Sequence, residues 1–162
     1  MVALIAALLA APVTASPPGS WLEMQAGPQV LFRQSGRGIG PELRVSLGLP
    51  FAERAAAEVW LSGVLEEAPL RSPGDQSRIG AGLAARARLI QFGSEGKVSL
   101  WGRLGAGWTA GSPGASGPLG FAGAQVLLQP FVRRFAFGLE VDALAVRSGM
   151  GFAVLPSLRC AL

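Results

Sequence analysis

The chain has 162 residues, of which 50% are hydrophobic and 15% charged, with a net charge of +4, one cysteine and no histidine. Without histidine it lacks the usual general base and the commonest transition-metal ligand, and a single cysteine excludes an intrachain disulfide. The basic residues are scattered rather than clustered and no aromatic RNA-binding signature accompanies them, which argues against a nucleic-acid partner.

At the start, "MVALIAALLAAPVTASPPGS" places an apolar run over Val2–Ala11 and small residues at Val13, Thr14 and Ala15. This is the pattern of a signal peptide over residues 1–15, cleaved after Ala15, followed by a short linker over residues 16–20. A buried N-terminal helix is the alternative; Pro12, Pro17, Pro18 and Gly19 would end it at once. No cysteine lies near the cleavage site to carry a lipid anchor.

Residues 21–162 read as one barrel domain. Mean hydropathy is +0.42, yet no run reaches the ~18 apolar residues of a membrane helix. Turn signals instead cut this region into eight alternating segments: Trp21–Arg33, Gly38–Leu49, Ala55–Glu66, Ser77–Ile90, Lys97–Trp108, Leu119–Gln129, Arg134–Val146 and Gly151–Leu162. Soluble strands average about 5–6 residues, whereas tilted membrane strands need about 9–11. Two of the odd-to-even links, Glu67–Gln76 and Thr109–Pro118, are long and rich in Gly, Pro and Ser, while every even-to-odd link is short. Bacterial outer-membrane barrels show this asymmetry, with both chain ends then on the periplasmic side.

Sorting by parity separates two faces. Leu43, Val45, Leu47 and Leu49 oppose Glu42, Arg44, Ser46 and Gly48; Val98, Leu100, Leu104, Ala106 and Trp108 oppose Lys97, Ser99, Trp101 and Arg103. In the sorted strands no charge falls on the apolar parity. A soluble sheet would turn that parity to a core; a membrane barrel turns it to lipid, leaving the polar parity inside. Five acids (Glu23, Glu42, Glu58, Glu140, Asp142) and five bases (Arg44, Arg86, Arg88, Arg103, Arg159) then share the lumen as a polar network, as burial of charge requires. Glu58 is expected near Arg86 or Arg88 on the next strand, and Glu23 near Arg159 across the closing seam. Phe51, Phe92 and Phe131 are expected in the short turns, with Phe135 and Phe137 close by. Phe32, Trp108 and Phe152 mark the other end, so that two aromatic belts form.

With its signal segment, eight amphipathic strands and alternating short and long links, the chain resembles the small outer-membrane β-barrel proteins of Gram-negative bacteria, of the OmpA transmembrane-domain and OmpX type. The last strand, "GFAVLPSLRCAL", is similar to their C-terminal insertion signal, although it ends in Leu rather than Phe or Trp. The resemblance implies an eight-stranded antiparallel up-and-down transmembrane β-barrel in the outer membrane. Its partners would be the lipid bilayer, the outer-membrane assembly machinery and a surface ligand held by loops 67–76 and 109–118.

Pro156 inside the last strand lacks a ladder N–H, so a bulge is expected there. Cys160 reads as a small apolar filler rather than a functional thiol. The lipid A deacylases and acyltransferases of similar size depend on a histidine acting with a serine, which this chain lacks. Glu140 and Asp142, two residues apart on one face, have the spacing of an acidic pair or cation site, but interior salt bridges are the ordinary explanation. "GRGIG" and "GAGLAAR" do not sit between a strand and a helix, so they carry no phosphate-loop meaning.

The expectation is therefore a monomeric, non-enzymatic barrel with a side-chain-filled interior and no catalytic, cofactor or metal residues. The alternative is a secreted or periplasmic lipocalin-like barrel with an apolar lumen holding a hydrophobic ligand.

Overall fold

Alternation at period two becomes eight strands that close on themselves. The computed structural model describes residues 19–34, 36–67, 76–92, 97–111, 116–129 and 134–162. The strands are β1 (Trp21–Arg33), β2 (Gly36–Ala52), β3 (Ala55–Glu66), β4 (Gln76–Phe92), β5 (Val98–Gly111), β6 (Gly117–Leu128), β7 (Phe135–Val146) and β8 (Gly149–Ala161). Each pairs antiparallel with its chain neighbours, and β1 pairs with β8 to complete the barrel. Closure leaves no free edge, so every strand finds ladder partners on both sides. The end carrying Trp21 and Ala161 is called the near end, and the opposite one the far end. Residues 1–18, where the signal segment is expected, residues 68–75 and 112–115 of the two long loops, and Phe131 lie outside the described residues.

Strand boundaries run past several expected turns. β2 continues through Phe51 and Ala52, and β4 through Gln91 and Phe92. Phe51 and Phe92 therefore stand on strand tips, not in turns. The tight far-end turn between β1 and β2 uses Gly36 at φ 131°, a conformation that disfavours a side chain.

The bulge expected at Pro156 does not form. Pro156 faces Leu139 in an unbroken β7–β8 register. On its other side the β1–β8 ladder skips Ala26–Pro28 and resumes in the same register, from Gln25↔Ser157 to Gln29↔Ala153. The missing N–H groups of Pro28 and Pro156 fall in this one gap, so the seam tolerates both without an extra residue. The register shifts instead at Phe51 in β2 and Leu89 in β4, both near the near-end rim. At the second, Leu89 and Ile90 both point outward, and the bulge resets the parity of the strand tip.

The outer face is apolar. Leu43, Val59, Leu61, Leu83, Leu104, Leu139 and Val141 are among its exposed side chains. Phe51, Phe92, Phe135 and Phe137 ring the near end, and Phe32, Trp108 and Phe152 the far end, all exposed. Arg37, at the far tip of β2, is the one charged side chain on the outward parity within the strands as described. The inner face alternates small and large residues. Trp60 fills the space over Gly82 and Gly107, where an added Cβ would lie 2.7 Å from its ring. Phe121 lies likewise against Gly105, and Trp21 against Gly48. Bulk on one strand facing glycine on the next lets an eight-stranded lumen be filled by side chains.

Candidate functional site

The inward parity carries charge into the middle of the barrel, and the cost of burying it is met by pairing. A continuous chain of contacts runs from strand to strand. Glu42 lies 2.8 Å from Arg44, which reaches Asp142 at 2.6 Å and Glu140 at 3.2 Å. Glu140 meets Arg103 at 2.7 Å, and Arg103 meets Glu58 at 2.7 Å. Glu58 is 2.8 Å from Arg86, Arg86 is 3.0 Å from Glu23, and Glu23 is 2.9 Å from Arg159. Apart from Arg159, each of these side chains is essentially shielded from solvent.

Two neutral amides hold this chain together. Gln25 donates to Glu140 at 2.9 Å and accepts from Arg103 at 3.2 Å. Gln125 donates to Glu23 and to Ser157, and accepts from Arg86 at 2.5 Å and Arg159 at 3.2 Å. Ser46 accepts from Arg103 at 3.0 Å. With these members every strand of the barrel contributes to one network.

Glu58 has a particular electrostatic task. The β4–β5 register sets Arg86 directly opposite Arg103. Two like charges so placed repel, and Glu58 relieves this by offering one carboxylate oxygen to each guanidinium. Phe121 packs against the same region, with Arg44 and Arg103 stacked 4.6 and 4.9 Å from its ring centre. Trp60 meets Phe121 edge-on at 5.6 Å. Toward the far end Leu31, Leu119 and Leu144 form an apolar layer of the lumen. Such a dry neighbour strengthens every charge interaction beside it.

Nine of the ten charges expected in the lumen network join this chain of contacts. Arg88 stands apart. Near the rim its ion-pair partner among the described residues is Glu53, 3.2 Å away and half exposed, and its guanidinium lies 5.9 Å from the Trp101 ring centre. The expected five-to-five balance therefore becomes five carboxylates against four arginines: Glu23, Glu42, Glu58, Glu140 and Asp142 against Arg44, Arg86, Arg103 and Arg159. Glu42 Oε2, Asp142 Oδ1, Glu58 Oε1 and Arg86 Nε are buried without a hydrogen-bond partner among the described residues, the last two standing 2.8 Å apart as an ion pair. Glu140 and Asp142 do share a face, and both are bound by Arg44.

Sequence reasoning passed over Gln25 and Gln125, because neutral side chains do not enter a charge balance, and gave the serines on the polar parity no part in the network. It also set aside strand tips, and so passed over a second, partly buried polar cluster at the far end. There Arg33 donates to Glu66 at 2.5 Å, Gln76 at 3.1 Å and Ser148 at 3.2 Å, near buried Arg78. Inward polarity on β1, β3 and β4 was the signal that would have found it. Cys160 is half-buried at the near rim, unpaired.

No family model and no curated protein sequence matches the chain. Solved structures do match it. Neisserial surface protein A superposes with a TM-score of 0.68 over 91% of this chain and 100% of its own, at 10% identity. Ail, the attachment invasion locus protein of Yersinia pestis, gives 0.55 over 89% and 99%, at 16% identity. Ail in complex with the heparin analogue sucrose octasulfate gives 0.51 over the same shares, at 17% identity. At these identities the likeness is one of fold, and with the apolar exterior and ionic lumen it defines the molecule as an eight-stranded antiparallel up-and-down transmembrane β-barrel, similar in architecture to the small outer-membrane barrels.

Proposed function

We propose that the chain is a monomeric, non-enzymatic integral protein of the outer membrane, exported by its signal segment and inserted by the outer-membrane assembly machinery. The observation that supports this best is the inverted polarity. Arg44, Arg86, Arg103, Glu58 and Glu140 are sealed inside, while Leu61, Leu83 and Leu104 are each more than half exposed. Water would favour the reverse arrangement, whereas acyl chains favour this one. A lipocalin-like soluble barrel needs an apolar lumen for its ligand, and here the lumen's centre is ionic. The tied network argues for a closed plug, so the work of the protein falls to its surfaces rather than to transport.

On this reading the far end, with loops 67–76 and 109–118, faces outside the cell and meets a surface partner. Ail holds a sulfated heparin analogue. Among the described residues of this chain, Arg37 and Arg147 are the exposed far-end cations able to attract a comparable polyanion.

The test is made on membranes and on purified protein. The chain should fractionate with the outer membrane and migrate faster on SDS gels unheated than boiled. Reconstituted in a planar bilayer, it should give no steady ion-conducting steps. A soluble periplasmic band indifferent to heating would refute the membrane assignment, and a stable open channel would refute the closed plug.

A further inference from the structure

Below the network, the near end opens into a cavity of about 330 Å³. This is within the size range of small-molecule sites, roughly 300–1,000 Å³. Its walls are of two kinds. Trp21, Trp101 and Leu127 supply apolar surface, and Arg88, Arg134 and Arg159 supply positive charge. Glu53 is the one acidic side chain in the described lining. Arg159, ion-paired to Glu23, is the lining residue that joins the cavity to the network.

The cations are not equally committed. Arg159 is bound to Glu23 through two nitrogens, at 2.9 and 3.0 Å, and to Gln125. Among the described residues the ion-pair partner of Arg88 is the half-exposed Glu53, an arrangement of little strength in water. Arg134 is exposed, and no ion pair to its side chain is formed among the described residues. Among the described residues, positive charge at the cavity mouth is therefore carried mainly by Arg88 and Arg134.

The aromatic wall is held in place. Trp101 Nε1 donates to Ser99 Oγ at 2.9 Å, which fixes the plane of the indole. Arg159 lies 4.5 Å from the Trp21 ring centre and 5.6 Å from that of Trp101. Trp21 also keeps a buried indole N–H without an acceptor among the described residues. A cationic ligand would meet like charge here. A neutral apolar one would strip water from Arg88 and Arg134 and return nothing.

We propose that this cavity binds a small organic anion with a flat apolar body, an arylcarboxylate or arylphosphate. Its acid group meets the guanidinium groups of Arg88 and Arg134, and its ring lies along Trp101 and Trp21. Paired, charge-assisted hydrogen bonds from arginine suit such a head group. On the reading above, the site opens to the periplasm, but the cavity and its chemistry do not depend on that orientation.

The experiment uses the full mature chain in phosphatidylcholine nanodiscs and follows para-trifluoromethylbenzoate by fluorine NMR. The neutral comparator is para-trifluoromethylbenzamide, of the same shape. Benzoate should bind saturably and the benzamide at least about tenfold more weakly. Arg88→Gln with Arg134→Gln should weaken benzoate by a similar factor, while the heat-dependent gel mobility stays as in the parent. Should the double variant lose that mobility shift, Arg134→Gln alone carries the test, since Arg134 is exposed. Arg147→Gln, at the far end, should change nothing. Equal binding of acid and amide, unsaturable partition into lipid, or an equal loss with Arg147→Gln would each overturn the proposal. Because folding is read separately by gel mobility, failure of the site and failure of the membrane-barrel reading remain distinguishable.

Discussion

Replacing Arg103 by Met should destabilise the barrel by about 3–5 kcal/mol, because it leaves buried carboxylates without their counter-charge. Arg103 touches Glu58 at 2.7 Å, Glu140 at 2.7 Å, Gln25 at 3.2 Å and Ser46 at 3.0 Å. Methionine keeps most of the length and none of the donors. Both Glu58 and Glu140 are fully enclosed, so water cannot readily take the place of the guanidinium. Urea unfolding in lipid vesicles, followed by tryptophan emission, measures the loss.

Two companions make this result specific. Glu140→Gln added to Arg103→Met removes one of the stranded charges and should recover part of the stability. Arg88→Met should cost less than about 1 kcal/mol, since its partner Glu53 is half exposed and a surface pair contributes little. An equal loss at Arg88 and Arg103 would mean that the lumen charges are solvated rather than enclosed.

The second large effect is expected one residue along the same strand. Leu104→Arg should cost about 2–4 kcal/mol in a fluid bilayer, the expense of a cation near the hydrocarbon midplane. Leu104 lies midway along β5 and is 65% exposed. On a soluble protein an exposed Leu→Arg change is close to neutral. Leu104→Phe, which keeps the apolar character, should fold and insert like the parent. The two substitutions at positions 103 and 104 thus invert the usual rule for buried and exposed sites, through one mechanism read from its two sides.

Much of this arrangement was legible because strand alternation is a local property. The segment Ala55–Glu66 coincides with β3, and the opposed parities of strands two and five match the inward and outward faces observed. β6 shows little such contrast between its faces, for a physical reason. Its inward residues Leu119, Phe121 and Leu127 are as apolar as its outward ones, since they fill the lumen rather than charge it. The bulges at Phe51 and Leu89 were hidden because an extra residue in one strand shows only against its partner. At Pro156 the local rule pointed to a bulge, but Pro28 on the neighbouring strand provides a shared gap that no single segment reveals.

The lumen divides in the same way. Glu23–Arg159 and Glu58–Arg86 join neighbouring strands, and strand order with depth is enough to bring them together. Arg44–Asp142 and Gln25–Arg103 cross the barrel. Which side chains meet across a filled tube depends on closure, stagger and side-chain length together, and no pattern along the chain encodes that directly. Arg88 was grouped with the network by parity alone. Its height near the rim, beside the bulge at Leu89, separates it and leaves it to Trp101 and Glu53.

The central claim is that lipid covers the apolar face and charge fills the lumen, and the protein's own tryptophans test it. Trp108 is 61% exposed on the outer face, whereas Trp60 is 1% exposed inside. Two variants, each retaining one of these two indoles with the other tryptophans changed to Phe, are reconstituted in vesicles whose acyl chains carry bromine. Bromine should strongly quench Trp108 and leave Trp60 nearly as bright as in unbrominated lipid. Strong quenching of Trp60 with Trp108 spared would contradict the account.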